Sequence, residues 1–289
     1  MKVLVPVDEN LYSMYAIRHA ARLAVNTLPE VVLLAMEKSK TDLDSNSISF
    51  ELSHPKMRML HNYCKDFLNQ LGPDSELYCS AEDKPEVRAI GKDLYEEKMS
   101  GMKKLRLHLR NETPAKAILK EAKRINSDLI VLGCGYGVCD WMGDSQAPGK
   151  VAENADCSVL ILKKEQDISK VVCCLDHAHA TQESFEMINQ LVTLYNAELE
   201  IVGVLKHGQL QEEVEQQMSE VLDYYMKRGI QALVKVVDED SLEAFISSGS
   251  ENELLAVWLS PMSLLKKLLS RGKVTTFVEK TLSSLLILR

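Results

Sequence analysis

A run of apolar residues closed by an aspartate occurs twice in this chain. Lys2-Val3-Leu4-Val5-Pro6-Val7-Asp8 returns as Lys170-Val171-Val172-Cys173-Cys174-Leu175-Asp176. Two further pairs keep the same order: Ser127 to Leu132 returns as Asn252 to Val257, and Cys157 to Lys163 returns as Ser283 to Arg289. One such run is weak evidence, but three in sequence read as a tandem duplication. The length of 289 residues also favours two domains. They are expected at 1–164 and 169–289, joined by a segment too short for free tumbling.

Within each copy, short apolar runs alternate with segments of helical periodicity, the pattern of a parallel sheet wound with helices. Copy one reads as strands 2–8, 31–37, 103–110, 128–133 and 158–163, with helices 12–27, 85–100 and 114–125. Copy two reads as strands 170–176, 198–205, 230–237, 253–259 and 284–289, with helices 180–196, 210–228, 240–248 and 273–281. The expected fold class is α/β. Copy one is longer between its first and fourth strands, and the extra residues are placed in an insert near 39–84. There Met57, Leu60, Tyr63, Cys64, Phe67, Leu68 and Leu71 follow helical spacing. The apolar face of that helix must cover something, either the other domain or a second chain.

Charge narrows the function classes. The formal net charge of −8 gives no electrostatic footprint for nucleic acid or anionic lipid. No apolar run has the length of a membrane helix, and the N-terminus reads as a strand rather than a leader. The seven cysteines are scattered, unlike a disulfide framework. A cytoplasmic protein is expected.

Ligands of open α/β sheets sit beyond the carboxyl ends of the strands. Three segments of copy one converge there: Asp8-Glu9-Asn10, Met36-Glu37, and the run Gly133-Cys134-Gly135-Tyr136-Gly137, followed by Gly149-Lys150-Val151 opening a helix. Glycines let backbone N–H groups approach phosphate closely, and a helix start adds partial positive charge. A plain connecting loop would use the same residues, and both readings stay open.

A strand ending in Val-Pro-Val-Asp, a glycine loop after the fourth strand and a short helix into a Val-Leu-Ile-Leu strand together resemble the universal stress protein family. The resemblance implies two tandem five-stranded parallel sheets of order 3-2-1-4-5, the adenine-nucleotide-hydrolase-like fold. It also implies pairing through the last strands, here 158–163 beside 284–289, as an intrachain pseudo-dimer. The insert could drive a further homodimer. Nucleotide-binding members of the family hold ATP or a related adenine nucleotide. Carried over, the lining residues are Pro6, Asp8, Met36, Gly133, Gly135, Gly137, Gly149 and Lys150, and the ligand is ATP or AMP.

The chain departs from the family pattern of Gly, two residues, Gly, nine residues, Gly and Ser or Thr. Gly133 and Gly137 are three residues apart, eleven separate Gly137 from Gly149, and Lys150 stands where Ser or Thr is expected. A second register ends on Gly143-Asp144, where an acid would repel phosphate. In copy two, Leu259-Ser260-Pro261-Met262 replaces the first glycines and Gly272-Lys273 follows. Proline has no N–H to offer, so no cofactor is expected there.

Other candidates resolve to bland readings. Asp176-His177-Ala178-His179, with His207, offers metal-type ligands but reads as a solvated loop, so no metal is expected. Cys173-Cys174 reads as two small buried hydrophobes. Cys134 and Cys139 lack redox Cys-x-x-Cys spacing, although a thiol in such a loop could have a depressed pKa, which leaves redox sensing as an alternative. Trp141 and Met142 pack, or lid the site. No nucleophile elbow, Walker loop or zinc-protease motif is present, and no catalytic residue is assigned. The expected function is a non-catalytic stress-response regulatory or interaction module with a protein partner. The alternative is an adenine-nucleotide sensor acting through copy one, with slow hydrolysis.

Overall fold

The computed structural model describes residues 1–38, 54–80, 87–91, 93–135, 139–165, 167–175, 180–205, 212–259 and 273–289. The first strand, β1 (Lys2–Val7), is buried along nearly its whole length. It lies between β2 (Glu30–Glu37) and β6 (Leu129–Gly133), both parallel to it. Its apolar run is continuous because helices cover both faces of the sheet. Pro6 is tolerated in a central strand for a local reason. The ladder to β6 is registered only at Val3–Leu129 and Leu4–Ile130, so the missing N–H falls beyond it.

Adding β5 (Leu105–Asn111) beside β2 and β7 (Ser158–Leu162) beside β6 completes a parallel set in the order third, second, first, fourth, fifth. The second half repeats that order with β8 (Lys170–Cys174), β9 (Glu198–Leu205), β10 (Ala232–Asp238), β11 (Glu253–Trp258) and β12 (Ser284–Leu288). The expected order is therefore found in both halves. The halves join edge to edge: β7 and β12 pair antiparallel, with Leu160 opposite Leu286. Val159, Leu160, Ile161, Leu285, Leu286 and Ile287 are all fully buried there, so neither fifth strand leaves an open apolar edge.

Eight helices of the described residues flank the sheet. On one face lie α1 (Tyr12–Thr27), α2 (Pro55–Leu71), α5 (Gln182–Tyr195) and α6 (Glu212–Met226). On the other lie α3 (Pro114–Ile125), α4 (Ala147–Asn154), α7 (Glu239–Ser247) and α8 (Lys273–Lys280). Each apolar layer runs through both halves. The connecting segment is held down by Arg18–Glu165 and Arg22–Asp167 ion pairs and by buried Ile168.

Two expectations are corrected. The described residues of the expected helix 85–100 are not helical. The antiparallel hairpin β3 (Val87–Gly91) and β4 (Leu94–Lys98) occupies that segment and extends the sheet beyond β5. Two glutamates of β4 are buried and paired, one across the sheet and one with α2. Glu96 meets His108 at 3.0 Å, and Glu97 meets His61 at 2.7 Å. The helix read as part of an insert, α2, is the crossover from β2 to β5 and stands where α6 stands in the second half. Its buried Met57, Leu60, Tyr63, Cys64, Phe67 and Leu71 cover α1 and this half's own sheet rather than a second chain. The additional described structure in copy one is the 3-10 segment Gly72–Leu77 and the hairpin. Residues 39–53 and 81–84 of the expected insert lie outside the described residues.

The last helix of each half also packs at the junction. A Cβ on Gly149 in α4 would stand 2.6 Å from the Thr275 Cα in α8. The residue after each last strand then reaches the opposite helix end. Buried Lys163 donates to the Val278 carbonyl of α8. Arg289 donates to the carbonyls of Ala155 at 3.0 Å and Ala152 at 2.5 Å, at the end of α4. Helix C-termini leave carbonyls unpaired and carry partial negative charge, so both contacts are favourable.

Candidate functional site

The strand ends of the first half are the expected site, and Asp8 is its centre. Its carboxylate is 1% exposed and is fully engaged by its own loop. The Asn10 backbone N–H donates to Oδ1 at 3.0 Å, the Ser13 hydroxyl to Oδ1 at 2.7 Å, and the Tyr12 hydroxyl to Oδ2 at 2.8 Å. The Asn10 amide lies 2.9 Å from Oδ2. In return, the Asp8 N–H donates to the Ser13 oxygen, and the Tyr63 hydroxyl of α2 donates to the Asp8 carbonyl. Burial and the Asp8 charge push the Tyr12 phenol well above its ordinary pKa, so it remains a proton donor. A buried carboxylate without such donors would be costly. Here the start of α1 supplies them.

The loop after β6 closes onto this network. The Asp140 carbonyl lies 2.9 Å from Asn10 Nδ2 and 2.8 Å from the Tyr12 oxygen, whose single proton serves either this carbonyl or Asp8. Trp141 is fully buried, its indole N–H directed at the Gly133 carbonyl at 3.2 Å and its ring centroid 5.6 Å from that of Tyr12. Lys38 donates to the Met142 carbonyl. Lys150 holds both Asp144 oxygens, at 2.9 and 3.0 Å. Gly143 has φ +84° and lets the chain turn between Trp141 and Asp144.

The assigned glycines have neighbours of their own. A Cβ on Gly133 would stand 1.9 Å from the Tyr12 carbonyl oxygen, so the residue must be glycine for α1 to enter across the end of β6. Gly149 meets Thr275, as described above. Pro6 and Met36 are buried, with Met36 in the same apolar layer as Trp141. Gly135 is half-buried beside the loop. Gly137 lies outside the described residues, as do Asp176, His177, His179, His207 and 260–272 of the second half. Among the described residues no group of three or more His, Cys, Asp and Glu is placed to hold a metal ion. Cys173 and Cys174 are buried on opposite faces of the sheet, as two small hydrophobes.

Sequence reasoning missed Asn10, Tyr12 and Ser13 as the partners of Asp8. A visible signal was present: three hydrogen-bonding residues within five positions of an aspartate at a helix start. It also missed Lys163, whose counterpart in the internal alignment is the equally basic Arg289.

No protein-family model and no curated protein sequence matches the chain. Solved structures do match. A universal stress protein from Archaeoglobus fulgidus DSM 4304 is 12% identical, covers 100% of this chain and 98% of its own, and superposes with a TM-score of 0.56. A putative universal stress protein from Pseudomonas aeruginosa UCBPP-PA14 is 13% identical over 99% and 92%, with a TM-score of 0.56. The cytoplasmic domain of a prokaryotic cation chloride cotransporter is 11% identical over 99% and 94%, with a TM-score of 0.53. No helix of the described residues is long and apolar enough to cross a membrane. Over its whole length, the chain has the fold of the universal stress proteins.

Proposed function

We propose that the chain is a tandem, non-catalytic regulatory or interaction module of the universal-stress-protein type, with domains 1–164 and 169–289 locked as an intrachain pseudo-dimer. One observation carries this reading: the Asp8 carboxylate, central to the expected nucleotide site, spends its acceptors on Asn10, Tyr12 and Ser13. Trp141 fills the space beneath the loop. That this fold also serves as the cytoplasmic domain of a transporter supports a role exerted through a protein partner rather than through chemistry.

The sensor reading, with ATP or AMP in the first domain, draws on a different observation. Lys38 and Lys150 both converge on the 142–144 turn, and each could exchange its present acceptor for a phosphate oxygen. Calorimetry of the full chain with MgATP and with AMP decides between the two. The module reading expects no saturable heat up to millimolar nucleotide. Micromolar binding at one site per chain, weakened in Lys150→Ala, would replace it with the sensor.

A further inference from the structure

A buried lysine touching a cysteine sulfur needs a reason. Lys163 is 1% exposed, and its ammonium lies 3.6 Å from the Cys134 sulfur while also reaching the end of α8. Cys134 is itself 1% exposed, at the end of β6 with its N–H fixed to the Leu162 carbonyl at 2.9 Å. The second thiol, of Cys139, is half-buried five residues further along the same loop and packs against the apolar layer that holds Cys134. Three groups of complementary chemistry therefore meet: a cation, a sulfur it can hold as thiolate, and a second thiol. All seven cysteines are free in this structure.

We infer that Cys134 and Cys139 are a peroxide-responsive thiol pair, in which Lys163 stabilises the attacking Cys134 thiolate and Cys139 resolves it to a disulfide. The inference is independent of whether the first half binds nucleotide. The Cys139 hydrogen bond and the Lys163 charge bring Cys134 down to about 7, against burial and the Glu279 charge, which work in the opposite direction. Cys139 is pushed up by that same contact, by burial and by the nearby Asp8 charge, so it stays a protonated thiol. A thiolate beside a lysine is the nucleophilic form.

The step balances with a hydroperoxide as oxidant. The Cys134 thiolate attacks the terminal peroxide oxygen. A sulfur–oxygen bond forms, the oxygen–oxygen bond breaks, and the departing alkoxide or hydroxide takes a proton. The Cys139 sulfur then attacks the sulfenic acid. The disulfide forms, the sulfur–oxygen bond breaks, and the hydroxyl leaves as water with the proton Cys139 gives up. Two thiols have lost two electrons, and the peroxide has become an alcohol, or water, plus water. The product would tie the residue before Asp140 to the end of β6, fixing the carbonyl that Tyr12 and Asn10 hold.

The test exposes the full chain to hydrogen peroxide, quenches in acid, alkylates in denaturant and reads the peptides by mass spectrometry. The expected product is a Cys134–Cys139 linked peptide, with Cys139→Ser instead leaving a Cys134 sulfenic acid that a dicarbonyl trap captures. Lys163→Met should slow the linkage at least tenfold, and Lys163→Arg should restore most of the rate. Should Lys163→Met not fold, the wild-type rate against pH serves in its place, with a midpoint near 7 expected. Persistently reduced thiols, oxidation confined to other cysteines, an unchanged rate in Lys163→Met, or a midpoint at the ordinary thiol value would each overturn the inference.

Discussion

Leu160 and Leu286, which the internal alignment equates, stand directly opposite one another in the antiparallel pair that joins the two halves. Gly149 and Thr275, each the third residue of its helix, touch across α4 and α8. Lys163 and Arg289, which the internal alignment also equates, each reach the helix end of the other half. All three relationships are those of a two-fold axis passing through the junction, where an isologous contact places like residues face to face.

The helix-end contacts can be tested singly. Arg289→Met leaves the carbonyls of Ala152 and Ala155 without their charged donor in a half-buried place. The loss should be about 1–3 kcal/mol, read as a lower denaturant midpoint at unchanged slope.

Overpacking should act on the same junction. Gly149→Val puts carbon against the Thr275 backbone, which cannot withdraw as a flexible side chain can. A cost of about 1–3 kcal/mol or more is expected, measured by thermal or denaturant unfolding. Stability equal to wild type would mean that the α4–α8 approach is looser than described.

Trp141 distinguishes a plug from a lid. A lid could be truncated cheaply, whereas a fully buried indole pressed on Tyr12 leaves a cavity when removed. Trp141→Ala should cost about 3–5 kcal/mol. In the module reading it should also fail to confer nucleotide binding, since Asp8 keeps its internal donors.

Acid should weaken the fold in two windows. His19, on α1, lies 2.5 Å from the Tyr195 hydroxyl of α5. Burial, aided by the Arg22 charge, takes it from 6.5 down to about 4. The unfolded chain binds that proton first, so this stability is complete above pH 6.5 and fades as pH falls to about 4, roughly 3 kcal/mol in all. His19→Gln should flatten that window of a stability–pH curve. Glu121 acts lower. Burial works to raise it, but hydrogen bonds from His108, Arg124 and Arg110 overcome that and hold it down to about 2. Its contribution is present above 4.5 and is lost as pH falls towards 2.

How much of this was legible in the sequence depended on which neighbours a residue needed. β1, β6, β7 and their counterparts could be read because a strand buried on both faces is apolar throughout, whatever lies beside it. The hairpin 87–98 could not, because Glu96 and Glu97 are buried beside His108 of β5 and His61 of α2, and only the strand register and the packing of α2 decide that these residues meet. Asp8 could be singled out as an acid at a strand end, but its engagement with Tyr12 and Asn10 depends on where the start of α1 crosses β6. Lys163 resembled an ordinary charge after a strand, and only the partner half shows why it is buried.

Gly149 answers to two demands. It was read as the last glycine of a phosphate-binding pattern, yet Thr275 of the other half leaves no room there for a side chain. The seam between the halves therefore accounts for this glycine by itself, and its presence in the chain is not an argument for nucleotide.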